Sequence, residues 1–124
     1  MRQYKFRGFA PKSKMWVYGE LHLNSAKPHI HKYISEFASL TYQIDPKSVG
    51  QFTGLHDMNG AEIYEGDIVV FDDVELIVSY ESSHRGAFCL CELNGEFHDV
   101  FGNNGFEPFY CKVIDNMYER KNKQ

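Results

Sequence analysis

The sequence predicts a mainly-β protein, folded as a small barrel or sandwich of short antiparallel strands. Aromatic residues make up 15% of the 124 residues, and aromatic side chains favour the pleated, half-buried surface of a sheet. Short runs of alternating apolar and polar residues recur along the chain. Gly, Asn-Gly and Asp pairs separate these runs, as expected of tight turns. The length suits one domain over residues 1–124, because no linker or repeat divides the sequence.

The N-terminal region begins with a predicted hairpin. Residues 4–9 and 15–23 have strand-like patterns, and a five-residue loop containing Pro11 separates them. The next segment, residues 27–40, is ambiguous. Its apolar residues follow a helical spacing, yet the residues after Pro28 would also suit a strand. A strand or a short helix is therefore expected there.

The remainder of the chain predicts a meander of short strands. Turns are expected at residues 57–60, 72–73 and 94–95, because Asn-Gly and Asp pairs tolerate positive φ. A final element over residues 111–118 is extended or helical, and the polar tail is expected to fray from about residue 119. Strands are expected at residues 41–44, 49–54, 68–71, 74–81, 87–93 and 96–101, and residues 62–64 lead into the turn before the strand at 68–71.

A block of turns and strands in the middle of the chain has the most distinctive composition. Glycines there suit positive φ or close backbone approach, and Asp67 and Thr53 can accept backbone N–H bonds at strand ends. This interpretation, a rigid double turn leading into a buried strand, is favoured over a ligand-binding loop. The residues of the block are Gly50, Gln51, Thr53, Gly54, Gly60, Tyr64, Gly66 and Asp67.

Histidines and cysteines raise the alternative of a metal site. His29 and His31 share one strand face, as do Cys89 and Cys91, with Cys111 or His98 as further ligands. Structural zinc sites favour wider cysteine spacing in loops, and the cysteines suit small apolar packing. No metal or cofactor is therefore predicted. No nucleophile elbow, phosphate loop or zinc-protease motif occurs, so an enzyme is not predicted either.

Charge argues against nucleic acid as the main partner. The formal net charge is −4, whereas duplex binding depends on neutralising phosphates with Lys and Arg. One exception is the first strand, where Lys5 and Arg7 alternate with aromatic residues, as in barrels that bind single strands. These two residues are a candidate interaction strand. No export signal or long apolar run is present, which predicts a cytoplasmic protein with reduced thiols and no membrane segment.

Three blocks of the sequence resemble the YopX family, small proteins of phages and prophages of low-GC Gram-positive bacteria. They are residues 4–9, residues 49–69 with the motifs GQFTGL and IYEGDIV, and residues 113–119. The resemblance implies a β-rich pseudo-barrel with a helical element, and assembly into homo-oligomers. It supplies no catalytic residues, since no activity is established for the family. One departure is Asp115, which replaces the common glycine of the last block.

These observations predict a barrel-like, SH3-like meander with at most one or two short helices. The expected function is that of a non-enzymatic phage accessory protein, active in the host cell, that binds another protein and forms a homo-oligomer. A host protein is a candidate partner. The alternative is a single-strand nucleic-acid-binding barrel that uses Lys5 and Arg7. A weaker alternative is a small metal protein or enzyme built on the cysteines and histidines.

Overall fold

A computed structural model describes residues 5–23, 27–81, 87–102 and 106–122, except for the side chain of Glu81. Tyr4 of the predicted first strand lies outside these residues, as do residues 82–86 and 103–105. The chain divides into two compact units, residues 1–52 and residues 53–124, called here the N-terminal and C-terminal units. The assignment of the whole chain to one domain stays a prediction.

The N-terminal unit is an antiparallel sheet with the strand order β4-β3-β2-β1-β5. Its core consists of Ala10, Val17, Ile30 and Ile44, all buried. Two glycines permit close packing: a Cβ on Gly8 would lie 2.3 Å from the Ile44 side chain, and a Cβ on Gly19 would lie 2.4 Å from the His31 carbonyl oxygen. The strands are β1 Phe6–Ala10, β2 Met15–His22, β3 His29–Ser35, β4 Ala38–Gln43 and β5 Gly50–His56.

The ambiguous segment at residues 27–40 forms strands, and its helical interpretation is wrong. Strands β3 and β4 pair in register from His29 opposite Gln43 to Ser35 opposite Ala38. Of the residues at helical spacing, only Ile30 enters the core, while Phe37 is 94% exposed at the hairpin tip. The helical spacing therefore did not mark a buried face.

The C-terminal unit holds a second antiparallel sheet with the strand order β10-β9-β8-β7-β11. Strand β5 continues into this unit, where its neighbour is β6. The core is larger than that of the first unit and includes Val69, Leu76, Leu90 and Cys111. The strands are β6 Glu62–Tyr64, β7 Asp67–Phe71, β8 Val74–Glu81, β9 Ala87–Cys91, β10 Phe97–Val100 and β11 Lys112–Asn116.

Residues 119–122, which the sequence places in a frayed tail, lie instead in helix α1, Met117–Asn122. Asn116 caps this helix, because its side-chain oxygen accepts the N–H of Glu119 at 2.8 Å. Arg120 contacts Glu75 at 2.8 Å and Asp115 at 3.2 Å. The cap and the two ion pairs hold the helix against strands β8 and β11.

The two sheets and the scarcity of helix confirm the predicted mainly-β class. The described strands form two open sheets, each with two end strands, and no closed barrel. Within the described part of the chain, no helix is long and apolar enough to cross a membrane.

Candidate functional site

The N-terminal sheet gathers aromatic and basic side chains on one face. In an antiparallel pair, residues directly opposite each other lie on the same face, and the faces alternate along each strand. Arg7 lies opposite Tyr18 and Phe9 opposite Trp16, while Glu20 lies opposite His31. The strand register therefore brings together residues that are far apart in the sequence.

The two basic residues predicted as an interaction strand both contact aromatic rings. The guanidinium carbon of Arg7 lies 4.9 Å from the centre of the Trp16 ring, and the Lys5 Nζ lies 5.5 Å from that of Phe52. Trp16 also meets Phe9 edge-on at 5.7 Å. Arg7 is only 7% exposed and packs over the Trp16 ring. Lys5 remains a surface residue of intermediate exposure.

Lys5 lines a shallow groove, which we call the basic groove. Its volume is about 500 Å³, and its lining residues are Lys5, Tyr18, Gly19, Glu20, His31, Lys32 and Tyr33. The His31 ring in the groove meets two neighbouring rings at tilted angles: its centre lies 5.3 Å from that of His22, outside the lining, and 5.0 Å from that of Tyr33. Two lysines beside these rings form a surface that suits a flat or anionic ligand.

Hydrogen bonds fix the orientation of the rings in the basic groove. The two ring nitrogens of His31 contact Ser39 Oγ at 2.8 Å and Thr41 Oγ1 at 3.3 Å, both on strand β4. The negative charge of Glu20, followed by burial and a hydrogen bond to Glu20, raises the pKa of Tyr33. The phenol of Tyr33 therefore stays protonated at neutral pH and donates its single O–H to Glu20.

The hairpin of strands β3 and β4, called here the apolar hairpin, exposes large hydrophobic side chains. Phe37 is 94% exposed, Tyr33 64%, Ile34 59% and Leu40 45%. Strand β4 is the end strand of its sheet, and its sequence ASLTYQ contains no charged residue or proline. Natural edge strands usually carry such residues to prevent pairing with other chains.

The central block of turns and strands has the local geometry that the sequence predicts. Gly54, Gly60 and Gly66 have φ values of 83°, 82° and 94°. Asp67, which is buried, accepts the N–H of Tyr64 at 2.7 Å. These contacts account for the block as a rigid turn leading into strand β7.

The other polar members of the block also have partners within it. Thr53 accepts the N–H of Leu55 at 3.1 Å and donates its hydroxyl to the Ile63 carbonyl at 2.8 Å. The hydroxyl of the buried Tyr64 donates to Glu62 at 2.8 Å. Gly50 and Gln51 pair with strand β1, opposite Arg7 and Phe6.

Asp57 is an organising residue that the sequence analysis missed. Its Oδ1 accepts the N–H groups of Asn59 and Ala61, and its Oδ2 accepts that of Val113, each at 2.9 Å. Burial alone would raise the pKa of Asp57, but the three N–H bonds and the nearby Lys112 outweigh it and lower this pKa. An aspartate opening a DMNG turn signals the two local bonds. Nothing local signals the bond to Val113.

The cysteines lie in the core of the C-terminal unit. Cys89, Cys91 and Cys111 are all buried with free thiols. Burial, with added repulsion from Asp57 and Asp67, raises the pKa of the Cys111 thiol to about 12. That thiol is therefore protonated at neutral pH and a poor nucleophile. Among the residues that the structure describes, no three His, Cys, Asp or Glu side chains are grouped to hold a metal ion.

The two units carry opposite charge. Residues 1–52 contain eight Lys or Arg and three Asp or Glu, a net charge of +5. Residues 53–124 contain five Lys or Arg and fourteen Asp or Glu, a net charge of −9. The overall charge of −4 therefore hides a basic unit and an acidic unit.

The fold and these surfaces define a small mainly-β protein of two antiparallel sheets that carries a basic groove and an apolar hairpin. The family model described as YopX protein matches residues 5–122, nearly the whole chain. The chain therefore belongs to the YopX family, as its sequence motifs indicate. No curated protein matches it.

Proposed function

We propose that this protein is a non-enzymatic accessory protein, encoded by a phage or prophage, that binds proteins in the host cytoplasm, beginning with copies of itself. The single observation that carries the proposal is the apolar hairpin. Phe37 is 94% exposed there, beside an edge strand that contains no charged residue or proline. The phage setting is supported by the family resemblance, and the cytoplasmic setting by the three free cysteines.

The edge of strand β4 supports pairing between two copies of the chain. An exposed edge presents unpaired backbone N–H and C=O groups, which a second strand satisfies by extending the sheet. Two identical β4 strands run antiparallel when a two-fold axis perpendicular to the sheet relates them, which gives a self-complementary interface. The exposed side chains Leu40 and Phe37 then become buried, and the burial of their apolar surface stabilises the dimer.

Sedimentation velocity over a range of protein concentrations tests the self-association. We expect the wild-type chain to form a dimer or a larger assembly, and Leu40→Lys to shift it to monomer. A lysine on an edge strand opposes pairing by its charge. The matched control is Leu93→Lys, since Leu93 is 49% exposed and Leu40 is 45% exposed. Leu93 lies in the C-terminal unit.

Two results would contradict the proposed self-association. One is a wild-type chain that stays monomeric at every concentration, and the other is equal dissociation by Leu40→Lys and Leu93→Lys. In the first case, the same pair of variants as baits in a nuclease-treated pull-down tests a host partner. A host protein retained by Leu93→Lys and lost by Leu40→Lys would assign the apolar hairpin to that partner.

A second candidate function, single-strand nucleic-acid binding, is supported by the basic groove. The unit that contains the groove carries a net charge of +5, so the overall negative charge is no argument against it. The rings of Tyr18, His31 and Tyr33 line the groove together with Lys5 and Lys32. Rings that stack bases and cations that contact phosphates are the two components of single-strand binding.

Fluorescence anisotropy with a labelled single-stranded oligonucleotide tests this second function. We expect the affinity to fall as salt rises, and to fall further in the double variant Lys5→Glu, Lys32→Glu. The control is Lys12→Glu, Lys47→Glu, which makes the same charge change at two exposed sites that do not line the groove. An equal loss of oligonucleotide affinity in both double variants would show that binding depends only on total charge, which would exclude the groove as a nucleic-acid site.

A further inference from the structure

The C-terminal unit contains an aromatic pocket that neither proposed function uses. Its volume is about 490 Å³ and its lining residues are Phe71, Asp72, Val74, His98, Phe106 and Tyr110. This volume lies within the range of small-ligand sites. The residues come from three places: the hairpin of β7 and β8 at its turn, strand β10, and the segment that precedes β11.

The Phe106 ring lies nearly perpendicular to two other rings of the pocket. Phe71 and Phe106 meet edge to face, with ring centres 5.1 Å apart and an interplanar angle of 79°. His98 meets Phe106 at 5.0 Å and 89°. Phe71 is anchored further by an edge contact with Phe101 at 6.3 Å. In such arrangements one ring presents its face, which carries partial negative charge.

A carboxylate adds a full negative charge to this pocket. Asp72 lies in the two-residue turn that joins β7 to β8, and it is exposed. It forms no hydrogen bond or ion pair with any residue in the described part of the chain. The described lining contains no Lys or Arg, and the unit that surrounds it has a net charge of −9.

From this geometry we infer that the aromatic pocket binds an organic cation, an ammonium or guanidinium group attached to an apolar body. Ring faces attract such a cation, and the Asp72 carboxylate neutralises it. The apolar walls of Val74 and Phe106 accommodate the attached body. A basic side chain of a partner protein and a free quaternary amine share this chemistry. The inference does not depend on the apolar hairpin or on the basic groove.

A paired-ligand titration followed by NMR of the pocket residues tests the inference. The cation is choline, and its neutral counterpart is 3,3-dimethyl-1-butanol, which has the same shape without the charge. We expect choline to shift the signals of Phe106, His98 and Tyr110 in a saturable manner, and the neutral alcohol to bind much more weakly. Titrations with N-acetyl-arginine amide and N-acetyl-lysine amide then identify the source. Tighter binding of these amides indicates a partner's side chain, whereas tighter binding of choline indicates a free amine.

Two neighbouring aspartates provide the matched variants. Asp72 and Asp73 both have positive φ, 45° and 69°, and asparagine tolerates that conformation, so either Asp→Asn change preserves the turn. We expect Asp72→Asn to weaken choline binding about two- to fivefold, the effect of losing one exposed charge partner. Asp73→Asn removes the same charge outside the lining and should leave the affinity unchanged.

Three outcomes would overturn the inference: no saturable shift with any cation, equal binding of choline and the neutral alcohol, or equal effects of Asp72→Asn and Asp73→Asn. A further variant, Phe106→Leu, keeps the wall apolar and removes the ring face. Unchanged choline affinity in that variant, with the wild-type fold shown by its spectrum, would also overturn the inference.

Discussion

The two units of this chain both contain antiparallel sheets. They differ in net charge and in the side chains that stabilise each unit internally. The N-terminal unit is basic, has a small core and exposes its apolar hairpin. The C-terminal unit is acidic, has the larger core, and uses the carboxylates of Asp57 and Asp67 as acceptors for backbone N–H groups. Overall charge is therefore a poor guide to the partners of such a chain, because each unit presents a surface of its own charge.

The largest effect is expected from Asp57→Ala in the C-terminal unit. It removes the acceptor of three backbone N–H groups, those of Asn59, Ala61 and Val113. We expect a loss of about 3 kcal/mol in the free energy of unfolding, because hydrogen bonds to charged groups are strong and buried N–H groups are costly to leave unpaired. Hydrogen exchange read by mass spectrometry should show faster exchange in residues 53–122 than in the wild type. Equal acceleration in both units would contradict the separation described here.

The same carboxylate predicts a pH dependence. Because the folded state lowers the pKa of Asp57, its contribution to stability is complete above the ordinary aspartate value and is lost as the pH falls through the folded value. The difference in unfolding free energy between wild type and Asp57→Asn should therefore shrink as the pH falls from about 5 to about 2. Denaturant titrations at several pH values measure it. A difference that stays constant would exclude the proposed role of the charge.

A smaller loss is expected from Gly19→Ala in the N-terminal unit. A Cβ at this position would lie 2.4 Å from the carbonyl oxygen of His31, so strands β2 and β3 would have to separate. Such overpacking costs about 1–3 kcal/mol. The fluorescence of Trp16, the single tryptophan of the chain, reports the unfolding of this unit, and Lys12→Ala at an exposed loop position is the control. An unfolding transition at the same denaturant concentration as in the wild type would show that β2 and β3 accommodate the extra Cβ without loss of stability.

The smallest effect, a gain, is expected from Asp73→Gly in the turn between β7 and β8. Asp73 has φ 69°, a conformation that glycine adopts without a steric penalty. We expect the C-terminal unit to be stabilised by about 0.5–1 kcal/mol, measured by denaturant unfolding. Asp73→Ala, which keeps the Cβ and loses the polar side chain, should destabilise it. A loss of stability in the glycine variant would mean that the Asp73 carboxylate matters more than the turn conformation.

The sequence was sufficient for most strands of the fold because their signals are local. Alternation and Asn-Gly or Asp-Asp turns located β7, β8, β9 and β10 to within a few residues. The apolar hairpin was ambiguous because its tip, Glu36 and Phe37, contains no glycine, asparagine or proline to mark a turn. Its apolar residues are largely exposed, so their spacing carried no information about a core.

The candidate sites were less predictable because they depend on strand register. Lys5 was identified from alternation alone, whereas the rings that accompany it in the basic groove come from β2 and β3. The burial of Arg7 over Trp16 and the bond from Val113 to Asp57 both join distant segments. Opposite charges on the two units could have been counted from the sequence, but the boundary between the units is a structural observation.

The positions of the cysteines and the tryptophan allow the unfolding of each unit to be followed separately in one sample. Every cysteine is buried in the C-terminal unit, and the single tryptophan lies in the N-terminal unit. A thiol with a pKa of about 12 reacts slowly with alkylating reagents until the surrounding structure opens. The mass added by a short pulse of alkylation therefore counts the opening events of one unit. Emission from the indole follows the other unit in the same sample, and neither measurement requires a label to be engineered.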